Sequence, residues 1–226
     1  MTELFEGMLT KETPPSYSPP TVSITSSITG LREVGENINP TITVTFNKND
    51  GGVITAVELY KNNNLIDTKI SPINPCSFTD NEVLTTATIN YSAKIIYEEG
   101  PIKNTNLGNP YPNGHITAGS KTSSSISITP VYASYIGIID SSYELNNLTK
   151  IIKNSKSYTY KYIMTNQRVV YLYPVSFGAL TSVKDENNFE ILNAFTRSQI
   201  TLNGTSYYEY KLTNTGSNSD GTLKFS

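Results

Sequence analysis

Residues 87–98 read Ala-Thr-Ile-Asn-Tyr-Ser-Ala-Lys-Ile-Ile-Tyr-Glu. Here Ala87, Ile89, Tyr91, Ala93, Ile95 and Tyr97 alternate with polar partners for most of the length. Side chains of a strand project alternately to its two faces, so a period of two with one apolar face predicts a half-buried antiparallel strand. The same period extends upstream. Thr-Ile-Thr-Val-Thr-Phe (Thr41 to Phe46) puts Ile42, Val44 and Phe46 on one face and three threonines on the other. The string Asn47 to Gly52 supplies positive-φ turn residues and leads into Val53 to Lys61, where Val53, Thr55, Val57 and Leu59 share a face. A polar turn at Asn62 to Asn64 opens Leu65 to Lys69, and Ser124 to Ile128 closes the set. Six or so short strands between residues 21 and 130, separated by turn signals, predict an immunoglobulin-like β-sandwich. With one Cys and no Trp, the chain lacks the Cys-Trp-Cys hallmark of antibody domains, so the likeness is one of architecture.

Composition agrees with an all-β chain. Of 226 residues 37% are hydrophobic and 16% charged, enough for one large or two small domains with real cores. Ser, Thr and Asn make up about 35% of the chain, and 16 Tyr stand beside no Trp. That bias favours strands and turns over helices. A net charge of -2 gives no basic surface for a phosphate backbone, which argues against a nucleic-acid partner.

The same counts exclude reaction classes. Cys76 is alone and cannot close an internal disulfide; His115, the one histidine, cannot build a multi-histidine metal cage. Any Ser-His-Asp or Cys-His arrangement would need His115, which sits in the Gly- and Pro-rich string Asn109 to Gly119. Facing carboxylates for glycoside hydrolysis are not evident, because Asp50, Asp67, Asp80, Glu98, Glu99, Asp185, Glu186 and Asp220 fall mainly in turns and polar loops. Asp185 to Asn188 and Asn47 to Gly51 space oxygen ligands as calcium loops do, but neither continues into the required Gly and distant Glu. No phosphate-cradling glycine motif occurs. The expectation is a non-enzyme with no catalytic residue, no cofactor and no metal site. The N-terminus carries acids early and lacks an apolar core of the secretory kind, and no run of about 18 apolar residues occurs, so no membrane insertion is expected. A soluble chain made in a cytosol follows.

Three regions flank the sandwich. Leu4, Phe5, Met8 and Leu9 have helical spacing before the breaker run Pro14 to Pro20, which predicts a short N-terminal docking helix and a stiff extended linker over residues 1–20. So short an amphipathic helix is not stable alone and must dock, on this chain or on a neighbour. Glu98 to Lys121, rich in Gly, Pro and Asn, is long for a connection between strands and is a candidate contact surface, with Asn109, Tyr111 and His115 its surface-contact residues. Beyond a boundary placed near Pro130, residues 131–226 predict a second β-domain. Ser141 to Ile152 carries a short helical pattern with Asp140 or Ser141 as N-cap. Tyr158, Tyr160 and Tyr162 share one strand face and are joined by the turn Thr165 to Gln167 to Arg168–Pro174, where both faces are apolar or aromatic. That second strand should be central and covered on both sides. Further strands are expected at Leu180 to Lys184, Gln199 to Leu202, Tyr207 to Leu212 and Thr222 to Phe225, with Asn203-Gly204 marking a hairpin. The clustered tyrosines suit either a core lacking Trp or a contact platform; Tyr158 and Tyr160 are the platform candidates.

The run from Lys156 to Phe189, with Glu190 to Arg197 and the closing Thr205 to Phe225, resembles a segment of tailed-bacteriophage virion proteins. The likeness rests on Tyr173-Pro174, the turn Ser176-Phe177-Gly178, Leu180-Thr181-Ser182 and the turn Asp185 to Phe189. The upstream module, with Val57 to Ile66, looks like the Ig-like module that precedes this segment in such proteins, and together they cover Val22 to Phe225. The resemblance implies a structural component of the particle of fibre, neck, tail or head-surface decoration type, located in the virion and assembled in the bacterial cytoplasm. Its implied partners are capsid, portal, neck or tail proteins and further copies of itself, a trimer being one arrangement left open. It supplies no catalytic residues. A second reading on the same particle is an adhesin module for host attachment that binds a receptor or a host-surface glycan.

Overall fold

Alternation in the first half of the chain is resolved into two facing sheets. A computed structural model describes residues 11–216 and 219–226. Its principal strands begin with β1 (Thr21–Ser26), β2 (Thr41–Asn47), β3 (Ile54–Lys61), β4 (Asn64–Ile70), β5 (Cys76–Thr79), β6 (Ile89–Tyr97), β7 (Gly119–Thr122) and β8 (Ile126–Val131). One sheet has the order β1-β2-β5. In the other, β4 pairs β3, β3 pairs β6, and β6 receives both β7 and β8, every pair antiparallel. The chain thus crosses between the sheets after β2, β4 and β5 and otherwise stays within one, as the strands of an Ig-like β-sandwich do.

The core follows the period-two reading. Ile42 and Val44 from β2, Val57 and Leu59 from β3 and Tyr91, Ala93 and Ile95 from β6 are fully buried. Two expected positions differ. Val53 precedes β3 and is exposed, and Ala87 lies before β6 in an exposed turn. Register shifts between Ile54 and Ala56 against β6, so Ala56 is buried next to Val57 and simple alternation fails there.

Chain contacts divide the molecule into two compact units: one from residues up to Gly30, Asn37–Glu82 and Thr88–Ile128, the other from Leu31–Glu36, Val83–Ala87 and Thr129–Ser226. Two short segments of the first half therefore belong to the second unit, where Gly35 N–H donates to Leu84 O and Leu84 N–H to Glu36 O.

In the second unit the strands are β9 (Ser134–Ile139), β10 (Thr149–Ile151), β11 (Tyr158–Met164), β12 (Arg168–Pro174), β13 (Val183–Lys184), β14 (Phe195–Leu202), β15 (Thr205–Leu212) and β16 (Ser219–Phe225). They form a five-stranded sheet, β10-β9-β12-β15-β14, and a three-stranded sheet, β11-β16-β13. Strand β12 is central, and all of its residues from Val169 to Pro174 are buried. Val169, Tyr171 and Tyr173 point into a core shared with Leu223 and Phe225 of the smaller sheet, while Val170 and Leu172 join Ile139, Leu148 and Tyr207 on the other face. Two cores, one on each side, explain why β12 lacks polar alternation. Asn203 and Gly204, both at positive φ, turn β14 into β15 as expected.

Two expectations are corrected. The helix over Ser141 to Ile152 is only a three-residue 3-10 turn at Leu145–Asn147; Thr149–Ile151 pairs with β9 instead, because sheet pairing with burial of Leu148 and Ile151 outweighs a weak local helical preference. The turn Thr165 to Gln167 joins β11 to β12 as expected, and the two strands enter different sheets. Only Val183 and Lys184 of the expected strand Leu180 to Lys184 are in a ladder. The docking helix, with Leu4, Phe5, Met8 and Leu9, lies outside the described residues.

Candidate interaction site

The proline-rich segment was expected to be a linker, and in the first unit it runs clamped along the Glu98 to Lys121 loop. Proline fixes φ and removes backbone donors, so residues 11–20 join no ladder and are held by side chains and single backbone groups of the body. Asn106 brackets the start: its Oδ1 accepts Thr13 N–H at 2.7 Å and its Nδ2 donates to Lys11 O at 3.1 Å. Glu12 Oε1 accepts from Thr105 Oγ1 at 2.8 Å and from Asn109 Nδ2 at 2.9 Å, and these bonds hold its carboxyl below the usual carboxylate range.

Further along, Lys103 is the hub. Its Nζ donates to Ser16 O and to Asp50 Oδ1, both at 2.8 Å, and lies 5.2 Å from the centre of the Tyr17 ring. Its backbone N–H donates to Tyr17 Oη at 2.7 Å, and that hydroxyl donates in turn to Tyr111 O at 2.8 Å. Asp50 Oδ2 accepts Ser18 N–H at 2.7 Å. The bond from Lys103, then the one from Ser18, lowers the Asp50 pKa. Asn49 Nδ2 closes the series on Pro19 O at 2.7 Å. Glycine makes the close approach: a Cβ on Gly100 would stand 1.9 Å from Asp50 O, and one on Gly51 2.7 Å from Pro20 Cγ.

Of the loop residues singled out from sequence, Asn109 and Tyr111 therefore meet the chain's own N-terminal arm, Asn109 by its amide and Tyr111 by its carbonyl. His115 folds back inside the loop, with Nε2 2.6 Å from Glu99 Oε1 and Nδ1 2.9 Å from Pro112 O. Both partners are acceptors, so the imidazolium satisfies both, and Glu99 foremost raises its pKa. Lys103, Asp50, Tyr17 and Glu12 escaped sequence reasoning, because contacts between residues some 30 to 97 positions apart leave no local pattern.

Tyr158 and Tyr160 occupy a different setting in the second unit. Both are half-buried, packed with Tyr162 against the core between the two sheets. The rings there form a connected cluster: Tyr173 and Tyr210 stack 5.9 Å apart at 11°, while Tyr171 lies 4.8 Å from Phe225 at a tilt of 49°. Hydroxyls are used locally, Tyr171 donating to Lys156 O at 2.8 Å and Tyr207 to Ala133 O at 2.9 Å, while Tyr210 Oη accepts Leu180 N–H at 2.9 Å. On the opposite face of the larger sheet, a recess of about 370 Å³ is lined by Tyr132, Tyr135, Tyr207, Glu33 and Asn203.

Among the described residues no group of three or more His, Cys, Asp or Glu is placed to hold a metal ion, and no helix is long and apolar enough to cross a membrane. No protein-family model and no curated protein matches the chain. Among solved structures it is similar to the fibronectin(III)-like modules of Clostridium thermocellum CbhA, at 14% identity over 90% of this chain and 92% of that one, with a TM-score of 0.34. A likeness that faint carries no argument about function; the strand orders themselves define an all-β chain with an Ig-like sandwich.

Proposed function

We propose that the chain is a non-enzymatic structural component of a tailed-bacteriophage particle, docking by its N-terminal segment and presenting its two β-units to the outside. The observation that carries the reading is the clamp. Residues 11–20 are tied to the first unit at Lys11, Glu12, Thr13, Ser16, Tyr17, Ser18 and Pro19. The chain therefore leads from one fixed edge of the sandwich toward the apolar residues Leu4, Phe5, Met8 and Leu9. With residues 11–20 already held on the sandwich, less chain has to be immobilised on assembly, an advantage for a part built into a particle. The sequence resemblance to virion proteins supports the same reading. Deleting residues 1–20 is expected to leave folded units that no longer enter particles; normal incorporation of the deletion refutes the assignment.

The second reading, an adhesin module for a receptor or glycan, is favoured by the Tyr132, Tyr135 and Tyr207 recess. Aromatic walls beside a carboxylate and an amide suit a sugar's C–H face and its hydroxyls. Chemical-shift perturbation by host-surface glycan fragments tests it, and shifts confined to Tyr132, Tyr135 and Asn203 are the supporting result.

A further inference from the structure

Among the described residues strand β4 ends its sheet, pairing only with β3, and all seven of its own residues are exposed. An edge of that length presents unpaired peptide groups, and side-chain chemistry decides what pairs with it. The register against β3 runs Asp67↔Leu59, Thr68↔Glu58, Lys69↔Val57 and Ile70↔Ala56, and Ser71 N–H continues it by donating to Thr55 O at 2.9 Å. Bonding alternates along an antiparallel ladder, so Asp67 and Lys69 bond to β3 while the peptide groups of Thr68 and Ile70 face the open side. Consistent with this, Thr68 N–H is taken up at 2.7 Å by the carboxylate of its neighbour Asp67.

The geometry points to β4 as a homotypic interface, in which two copies of this chain pair antiparallel about a two-fold axis at Thr68. The sequence Ile66-Asp67-Thr68-Lys69-Ile70 is complementary to itself in that register. Asp67 of each copy falls opposite Lys69 of the other, Ile66 opposite Ile70, and Thr68 opposite Thr68. An axis at Asp67 or at Lys69 instead sets like charges face to face, so charge selects Thr68. Ile66 and Ile70, 41% and 72% exposed, supply the apolar contact. Pairing exchanges the Asp67 bond to Thr68 N–H for a carbonyl of the partner strand and frees that carboxylate for the ammonium opposite. Lys69 Nζ, which donates to Ser77 O and lies 5.1 Å from the Phe78 ring centre, has three donors and keeps its own contacts. Five residues a side make a small interface, so the association is weak between free molecules and is read by trapping. It is separate from docking by the N-terminal segment.

The test is disulfide trapping of the full chain carrying Thr68→Cys, the native Cys76 being buried. Opposed residues of a bonded antiparallel pair lie about 5.5 Å apart at Cα, within disulfide range, so a residue on the axis links to itself. Thr68→Cys is expected to form dimer about tenfold faster than Gln199→Cys on the exposed edge strand β14. Adding Asp67→Lys abolishes the excess, and adding Lys69→Asp to that variant restores it. Equal rates at the two cysteines, or failure of the double exchange to restore the excess, overturn the proposal. Removal of residues 1–20 leaves trapping unchanged if β4 is the interface, and loss of trapping on that deletion also overturns it.

Discussion

Strands β4 and β12 are both seven residues long, yet every residue of β4 is exposed and all but the first of β12 are buried. The difference lies in their neighbours. β12 has a strand on each side and a core on each face, whereas β4 has one strand neighbour and carries Asp67 and Lys69 on the side where its partner strand places Val57 and Leu59. Charged residues there keep an edge soluble, and apolar residues on both faces hold a centre together. Apolar content alone does not separate them, since β4 holds Leu65, Ile66 and Ile70. What teaches is the pattern: three consecutive polar residues, Asp67 to Lys69, interrupt β4, and none interrupts Val169 to Pro174.

Large-to-small substitutions break the comparison most directly. Leu172→Ala on β12 is expected to cost about 3 kcal/mol in denaturant unfolding, from lost transfer and the cavity left behind. Leu65→Ala on β4 is expected to cost under about 0.5 kcal/mol. Similar losses at both sites would mean that β4 is covered in solution.

A smaller effect belongs to the ion cluster beside β4. Lys61 Nζ lies 2.9 Å from Asp80 Oδ2 and 2.5 Å from Glu82 Oε2, and Tyr91 Oη donates to Asp80 at 2.7 Å. Burial pushes the Asp80 pKa up but is outweighed by the bonds from Lys61 and Tyr91, leaving it lowered. With the folded pKa below the unfolded one, the contribution is full above the ordinary carboxylate range, at about pH 4, and is lost as pH falls through the lower folded value. Asp80→Asn is expected to cost about 1–2 kcal/mol at pH 7 and to flatten stability between about pH 5 and 2. An unchanged acid slope in that variant counts against the cluster.

In the clamp, Tyr17→Phe removes both the acceptor of Lys103 N–H and the donor to Tyr111 O, at about 1 kcal/mol locally. Amide exchange at Lys103 should quicken about fivefold while global unfolding stays put. Asp50 titrates below its ordinary range, so protection of Ser18 N–H should persist at neutral pH and fade as the medium is acidified through that lower value. The smallest effect is expected in the heart of the second unit. Tyr173 Oη is buried without a hydrogen-bond partner among the described residues, so Tyr173→Phe should fall within about 0.5 kcal/mol of the parent. Tyr171→Phe, which strands Lys156 O, should cost about 1 kcal/mol.

Much of the framework was legible in residue order. β6, β2 and β12 follow from the spacing of Ile89, Tyr91 and Ala93, of Ile42 and Val44, and of Val169 to Tyr173, because burial in a sheet imposes its period on the sequence. The hairpin at Asn203-Gly204 follows from backbone sterics. Less was legible at the candidate site. Asn109 and Tyr111 stand out in the sequence, yet its prolines mark the arm that meets them only as a linker, since Glu12, Tyr17, Lys103 and Asp50 lie far apart in the chain and each alone is an ordinary polar residue.

Sequence by itself determined the all-β class, the central place of β12 and the turn chemistry, which depend on neighbours one or two residues away. Tertiary structure alone decided that Thr149–Ile151 is a strand and not part of a helix. It also sent β11 and β12 into different sheets, lent Leu31–Glu36 and Val83–Ala87 to the second unit, and clamped the proline-rich arm. Those outcomes turn on which distant surface buries a segment, and a free energy set by long-range contact leaves no period in the local sequence to announce it.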